Sequence, residues 1–304
     1  MGILSKPLLI SIVGPTAVGK TTLAIELAQW LNTEIISADS RQFYKEMTIG
    51  TAKPNDGELA SAQHHFINSH SIESLYSAGE FGRDALNMMT KLHQQNNAVI
   101  AVGGSGLYLK AIWEGFDEMP EIDPEVRNTL NQELESSGLD RLLLELERSD
   151  LEYYQEVDKN NGQRVIRALE VIRGTGKPFS SFRKNIEKEL PHANLKIGLN
   201  MDREILFERI NKRMDEMIAQ GLFEEAKDLL EYRDHNALQT VGYSEIFGFM
   251  DGNYDKEETV RLLKRNSRRY AKRQLTWFRR YDDIHWFQPE QLSQIKDLIT
   301  ETLL

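Results

Sequence analysis

Gly14-Pro15-Thr16-Ala17-Val18-Gly19-Lys20-Thr21 matches G-x-x-x-x-G-K-[ST] and lies between a buried apolar run and a helical pattern. A loop of this kind closes its backbone N–H groups around phosphate oxygens and adds the partial positive charge of the helix that follows. Lys20 neutralises the anion, and Thr21 is placed to hold Mg²⁺. The motif alone reports a bound di- or triphosphate and leaves open what happens to it.

A second chemical group stands at the end of the next apolar run, in Ser37-Ala38-Asp39-Ser40-Arg41-Gln42. Ligands of open α/β sheets bind at the carboxyl ends of strands, so Asp39 faces the phosphate site. It can accept a proton from an acceptor, bind Mg²⁺ in the manner of a Walker-B aspartate, or cap local backbone. Gly103-Gly104-Ser105-Gly106-Leu107-Tyr108 follows another apolar run and opens a helix, with Ser105 expected as its N-cap. Gln163-Arg164-Val165-Ile166-Arg167 puts two arginines on one helix face, a spacing that suits RNA phosphates or surface carboxylates equally. The adjacent His64 and His65 seldom share a metal as neighbours, and no H-E-x-x-H is present, so a structural or hydrogen-bonding role is expected.

The elements that hold these groups follow from hydrophobic period. Leu8 to Val13 reads as a buried strand leading through the glycine loop into a helix with Leu23, Leu27 and Leu31 on one face. Glu34 to Ala38, Ala98 to Val102, Leu195 to Leu199 and Ile284 to Phe287 are further strands. Strands separated by helices imply a parallel sheet, hence an α/β, P-loop NTPase-like core flanked by helices. From Met119 to His192 the texture is charged and helical, without strand candidates, which marks a helical insertion. The expected division is 1–118 with 193–304 as the core and 119–192 as the insertion. Glu204 to Leu230 carries apolar residues at helical spacing, and about Lys256 to Tyr281 forms a last long helix with Leu263, Tyr270 and Trp277 at heptad spacing.

Composition sets the outer limits. With 40% hydrophobic and 28% charged residues over 304 positions, the whole chain should fold. No apolar run is long enough to span a bilayer, and the start Met1 to Pro7 lacks a signal-peptide layout, so a cytoplasmic protein is expected. The absence of cysteine excludes disulfides, thiolate catalysis and cysteine-based zinc sites. A net charge of −10 argues mildly against a nucleic-acid binder, yet Arg261 to Tyr281 contains no acidic residue and many arginines and lysines. One strongly basic segment in an acidic chain fits local RNA contact or, more blandly, a solvated helix face.

Taken in order, these pieces make the chain resemble the bacterial tRNA dimethylallyltransferases, also called isopentenyl-adenosine synthases. The similarity runs over nearly the whole length. It is carried by Gly14 to Thr21, Ala38 to Gln42, Ile49-Gly50-Thr51-Ala52-Lys53-Pro54, His64-His65-Phe66, Gly103 to Tyr108, Arg164 to Glu170, Gly242-Tyr243 and Arg269 to Phe278. Phe43 stands where the family often has valine, Phe66 where leucine is usual, Ser105 where threonine is usual and Gly162 where aspartate commonly follows the asparagine. None of these departures removes a group the chemistry needs. The cysteine-containing C-terminal extension of eukaryotic relatives is absent, which points to the bacterial type.

The resemblance implies transfer of dimethylallyl from its diphosphate to N6 of the adenosine on the 3′ side of the anticodon. The P-loop from Gly14, Pro15, Thr16, Ala17, Val18 and Gly19 to Lys20 and Thr21 would bind the diphosphate with Mg²⁺, and Thr16 and Arg213 would add contacts. Asp39 would be the base. Asp39, Ser40, Arg41, Gln42, Ser105, Arg127, Gln163, Arg164, Val165, Ile166, Arg167, Gln239, Thr240, Val241, Gly242, Tyr243 and Ser244 would meet the RNA, with the insertion on the anticodon stem-loop. No obligate protein partner is implied, so a monomer is expected. Three other readings stay open on the residues. A small-molecule kinase leaves the basic helix and arginine pair unexplained, a prenyltransferase for free adenine nucleotides needs no RNA-sized basic surface, and a non-enzymatic RNA-binding module gives no reason for Lys20, Thr21 and Asp39 to converge.

Overall fold

An apolar run with no polar alternation has no face to offer water, so it forms a strand covered on both sides. Leu8–Val13 (β1) and Ala98–Gly103 (β4) are such runs, and every residue in both is buried. The computed structural model describes residues 6–183 and 189–304. The stretch 1–5, expected to lack a signal-peptide layout, and 184–188 of the expected insertion lie outside the described residues.

The chain divides into two compact units, Met1–Gly115 with Glu189–Leu304, and Phe116–Lys188. In the first, helices alternate with strands: α1 (Lys20–Leu31), β2 (Ile35–Ser37), α2 (Asp56–Ser61), β3 (His64–His65) and α3 (Ala78–Leu92) precede β4 and α4 (Gly106–Trp113). The second unit holds α5 (Pro124–Ser137), α6 (Leu139–Ser149), α7 (Leu151–Glu156) and α8 (Gly162–Thr175), and no strand among its described residues. The first unit then resumes with β5 (Ala193–Leu199), α9 (Arg203–Ala219), α10 (Leu222–Asp228), α11 (Tyr243–Met250), α12 (Lys256–Phe278), β6 (Ile284–Phe287) and α13 (Leu292–Leu303).

The six strands form one sheet in the order β3-β2-β4-β1-β5-β6, every neighbouring pair parallel. Alternation along β1 sorts its side chains into two cores. Leu8, Ile10 and Ile12 pack with α1, α9 and α13 through Leu27, Ile210 and Ile299. Leu9 and Val13 pack with α3 and α4 through Phe81, Ala85, Leu109 and Ile112. A third cluster joins Met214 and Met217 of α9 to α10 and α11 around the fully buried Tyr243. In the second unit, Leu130, Leu142, Leu146, Val165, Ile166 and Leu169 make a separate core.

Two local features add detail to these elements. The helical pattern from Glu204 to Leu230 is two helices, because Gly221 takes a φ of 104°, a left-handed conformation that ends α9 and starts α10. His64 and His65 form a two-residue edge strand against Ile35 and Ile36, too short to show a period of its own. No described helix is long and apolar enough to cross a membrane.

Candidate active site

β1 ends at the glycine loop. Gly14 has φ 143°, and a Cβ there would lie 2.5 Å from the carbonyl oxygen of Leu199 on the adjacent strand, so only glycine lets the chain turn. The loop enters α1 at Gly19, an N-cap position without a side-chain cap. The first N–H groups of α1 are therefore left for an anion. Val18 is buried in the sheet core, while Thr16, Ala17, Lys20 and Thr21 line a cleft above the sheet.

Asp39 comes to the same cleft from the end of β2. Its Oδ1 accepts the Arg41 N–H at 2.9 Å, so the local capping role is real, and the carboxylate still lines the cleft. Arg213 arrives from α9, donating through Nη1 to Thr16 Oγ1 at 3.4 Å and through Nη2 to the Ala52 carbonyl at 3.2 Å. Lys20 Nζ donates to the Pro15 carbonyl at 2.8 Å. Burial, and then the nearby Arg213 charge, pull the Lys20 amine down to about 7, with Asp39 opposing them. Burial likewise lowers Arg213, again against Asp39. Two crowded cations beside one carboxylate make a site short of negative charge, which a diphosphate would supply.

Among the described residues there is no group of three or more His, Asp or Glu able to hold a metal ion. Thr21 lines the cleft beside Lys20. That donor set would fit a Mg²⁺ carried mainly by diphosphate oxygens and water, with Thr21 as a protein ligand.

Around this centre the expected RNA residues fall into several groups. Ser105 stands at the N-cap position of α4 but makes no side-chain cap bond, contrary to expectation. Its Oγ accepts the Ser40 N–H at 2.9 Å and donates to Ser40 Oγ at 3.1 Å, tying the β4 loop to the β2 loop. Arg41 and Gln42 line the cleft, and Gln42 Nε2 donates to the Thr51 and Ala52 carbonyls, at 3.2 Å each. Thr240, Val241 and Gly242 also line it, while Gln239 and Ser244 are exposed. Tyr243 is fully buried and donates to Glu225 Oε1 at 2.5 Å. Glu225 also accepts the N–H groups of Thr48, Ile49 and Gly50.

In the helical unit, Arg127 donates to Glu170 and Gln163, each at 3.0 Å, and Arg167 pairs with Glu170 at 3.0 Å. Arg164 is exposed, whereas Val165 and Ile166 have no accessible surface. The side chains of Val165, Ile166 and Tyr243 thus hold their helices in place, and any contact of theirs with a ligand would be through backbone.

The histidine pair is bonded internally, His65 Nε2 to Glu34 Oε2 at 2.6 Å and His64 Nδ1 to the Ala62 carbonyl at 2.8 Å. Residues not singled out for the site also reach the cleft. Ser267, Tyr270 and Gln274 of α12 line it at helical spacing. Burial, then Asp39, push the Tyr270 hydroxyl up to about 12, and that hydroxyl bonds Ser105. Heptad spacing put Tyr270 in one stripe with Leu263 and Trp277, and spacing alone cannot tell a core face from a cleft face.

Known proteins are similar to this chain in sequence and in overall fold. The sequence pattern of the IPP transferase family matches residues 42–281. A tRNA dimethylallyltransferase of Cytophaga hutchinsonii is 51% identical over 97% of each chain. The structure of the full-length tRNA isopentenylpyrophosphate transferase from Bacillus halodurans superposes with a TM-score of 0.73 at 38% identity, covering 98% of this chain and 97% of that one. A eukaryotic dimethylallyltransferase solved acting on tRNA gives a TM-score of 0.77 at 28% identity over 97% of this chain and 77% of its own. With the family pattern spanning most of the length and these relatives covering nearly all of it, the chain belongs to the IPP transferase family.

Proposed function

We propose that this chain is a tRNA dimethylallyltransferase, which moves dimethylallyl from dimethylallyl diphosphate to N6 of the adenosine 3′-adjacent to the anticodon and releases diphosphate. One observation carries the reading: a single cleft holds the Lys20–Thr21 phosphate loop, the Arg213 guanidinium and the Asp39 carboxylate. The first two suit a leaving diphosphate, and the third suits an attacking amine.

The allylic C–O bond breaks as negative charge gathers on diphosphate, so the loop N–H groups, Lys20, Thr16 and Arg213 stabilise the transition state more than the ground state. Adenine N6 forms the new bond to the allylic carbon. Its lone pair is delocalised into the ring, and Asp39 accepts its proton as it attacks. Thr21 would hold Mg²⁺, which would supply further charge neutralisation on the diphosphate.

The adenosine must leave the anticodon stack to reach Asp39. Ser40, Arg41, Gln42, Ser105 and the stretch Gln239 to Ser244 receive it in this reading. Arg127, Gln163, Arg164 and Arg167 of the helical unit contact the anticodon stem-loop. In the same reading the enzyme is a cytoplasmic monomer with no obligate protein partner.

Offering labelled dimethylallyl diphosphate with undermodified tRNA, or with AMP, tests the acceptor. Label is expected in tRNA alone. Transfer to AMP would make the protein a nucleotide prenyltransferase, and consumption of ATP in place of the prenyl donor would make it a kinase.

A further inference from the structure

Gln274 lies on α12, 258 positions beyond Thr16, and is only 6% exposed. Both ends of its side-chain amide are engaged. Oε1 accepts the backbone N–H of Thr16 at 2.8 Å, and Nε2 donates to the Gly104 carbonyl at 3.0 Å. A Cβ on Gly104 would overlap that Nε2, so the β4 loop comes this close only as glycine. The two partners sit in the loops that follow β1 and β4, neighbouring strands of the sheet.

We propose that Gln274 is a positioning residue, a two-point clamp that fixes the P-loop in its donor-binding shape; this rests on the reading of the loop as the diphosphate site. The loop needs such help. Ala17, a non-glycine residue, is held at φ 65°, a left-handed conformation that a free loop would leave. By engaging the Thr16 N–H, Gln274 removes that group from the phosphate-binding set and leaves the N–H groups that follow it. It also fixes the residue whose hydroxyl receives Arg213. Glutamine is the residue type that can do this, because one end must accept from Thr16 while the other donates to Gly104. Glutamate lacks the donor, and methionine of similar size lacks both groups.

Gln274→Met and Gln274→Glu should each raise the Kd for inorganic diphosphate and the KM for dimethylallyl diphosphate by on the order of 10-fold, as expected for one or two lost buried hydrogen bonds. Transfer RNA affinity should fall less than donor affinity, because the proposed stem-loop contacts Arg127, Gln163, Arg164 and Arg167 belong to the other compact unit. A residue that merely supported the fold would weaken both alike. In Gln274→Glu the deficit relative to wild type should shrink as pH falls, since a neutral carboxyl again donates to Gly104 while accepting from Thr16. Hydrogen exchange in the unsubstituted protein needs no variant: the Thr16 amide proton should be strongly protected although it lies in a loop.

If wild type fails to bind inorganic diphosphate, the donor-site reading falls, while slow Thr16 exchange would still show the clamp. If wild type binds it and the variants bind equally well, or if Thr16 exchanges as fast as an open loop amide, the clamp is wrong. Should neither variant fold, the exchange rate alone decides.

Discussion

The Lys20 ammonium donates to the carbonyl of Pro15, at 2.8 Å, so the cation of the P-loop is folded back onto the loop it serves. Crowded by protein and by Arg213, it is held near neutrality at about 7. A bound diphosphate favours the charged form, so the complex has a higher Lys20 pKa than the free protein. The state with the higher pKa carries more protons, and donor affinity should therefore fall as pH rises above about 7, with proton uptake on binding. Calorimetry of dimethylallyl diphosphate binding at pH 8, in buffers of different ionisation enthalpy, should show that uptake in wild type and its loss in Lys20→Met. Equal heats across buffers in wild type would contradict it.

Asp39 has two jobs that one substitution can separate. Asn keeps an oxygen for the Arg41 N–H but cannot take a proton from N6. Asp39→Asn should retain donor and RNA binding and lose about 10²- to 10⁴-fold in single-turnover transfer. A rate near wild type would leave Asp39 as a cap and nothing more.

Arg164 and Arg167 should behave differently despite sharing a helix. Arg164 is exposed, whereas Arg167 pairs with the nearly buried Glu170. Either change to alanine should weaken tRNA binding and lower its log–log salt slope by about 0.7 to 0.9 per phosphate contact. Only Arg167→Ala should also lower stability, by on the order of 1 kcal/mol, because Glu170 loses one charged partner. Urea unfolding beside salt-dependent binding separates the two effects. Unchanged salt slopes in both variants would remove this helix from the RNA surface.

Tyr243 belongs to the structural side. Its hydroxyl ends on Glu225 together with three backbone N–H groups of the 48–50 loop. Tyr243→Phe should cost about 1 kcal/mol of stability and leave tRNA affinity alone, whereas Glu225→Gln, which turns an acceptor into a donor amid donors, should cost about 1 to 3 kcal/mol. A selective loss of RNA affinity in Tyr243→Phe, with stability intact, would reverse this assignment.

The P-loop half of the candidate site was legible because it is local. Lys20 and Thr21 follow β1 within one motif, and Asp39 follows β2 within two residues, so strand period and motif locate them together. What stayed hidden was long-range. Thr16 and Gln274 meet across 258 positions, and Glu225 meets Gly50 across 175, through side-chain bonds to backbone that leave no periodic trace. Arg213 emerged only from resemblance, for the same reason. Ser105 looked like a helix cap since its type and place permit one, and a second loop outbid the helix for its hydroxyl.

Nucleoside analysis tests the central claim most directly. The protein is incubated with dimethylallyl diphosphate, Mg²⁺ and undermodified tRNA, and the RNA is then digested and weighed by mass spectrometry. One adenosine, mapped next to the anticodon on its 3′ side, should gain a single five-carbon prenyl unit, with inorganic diphosphate released in equal amount. An RNA whose nucleosides are unchanged, or prenyl groups scattered over several adenosines, would contradict the account.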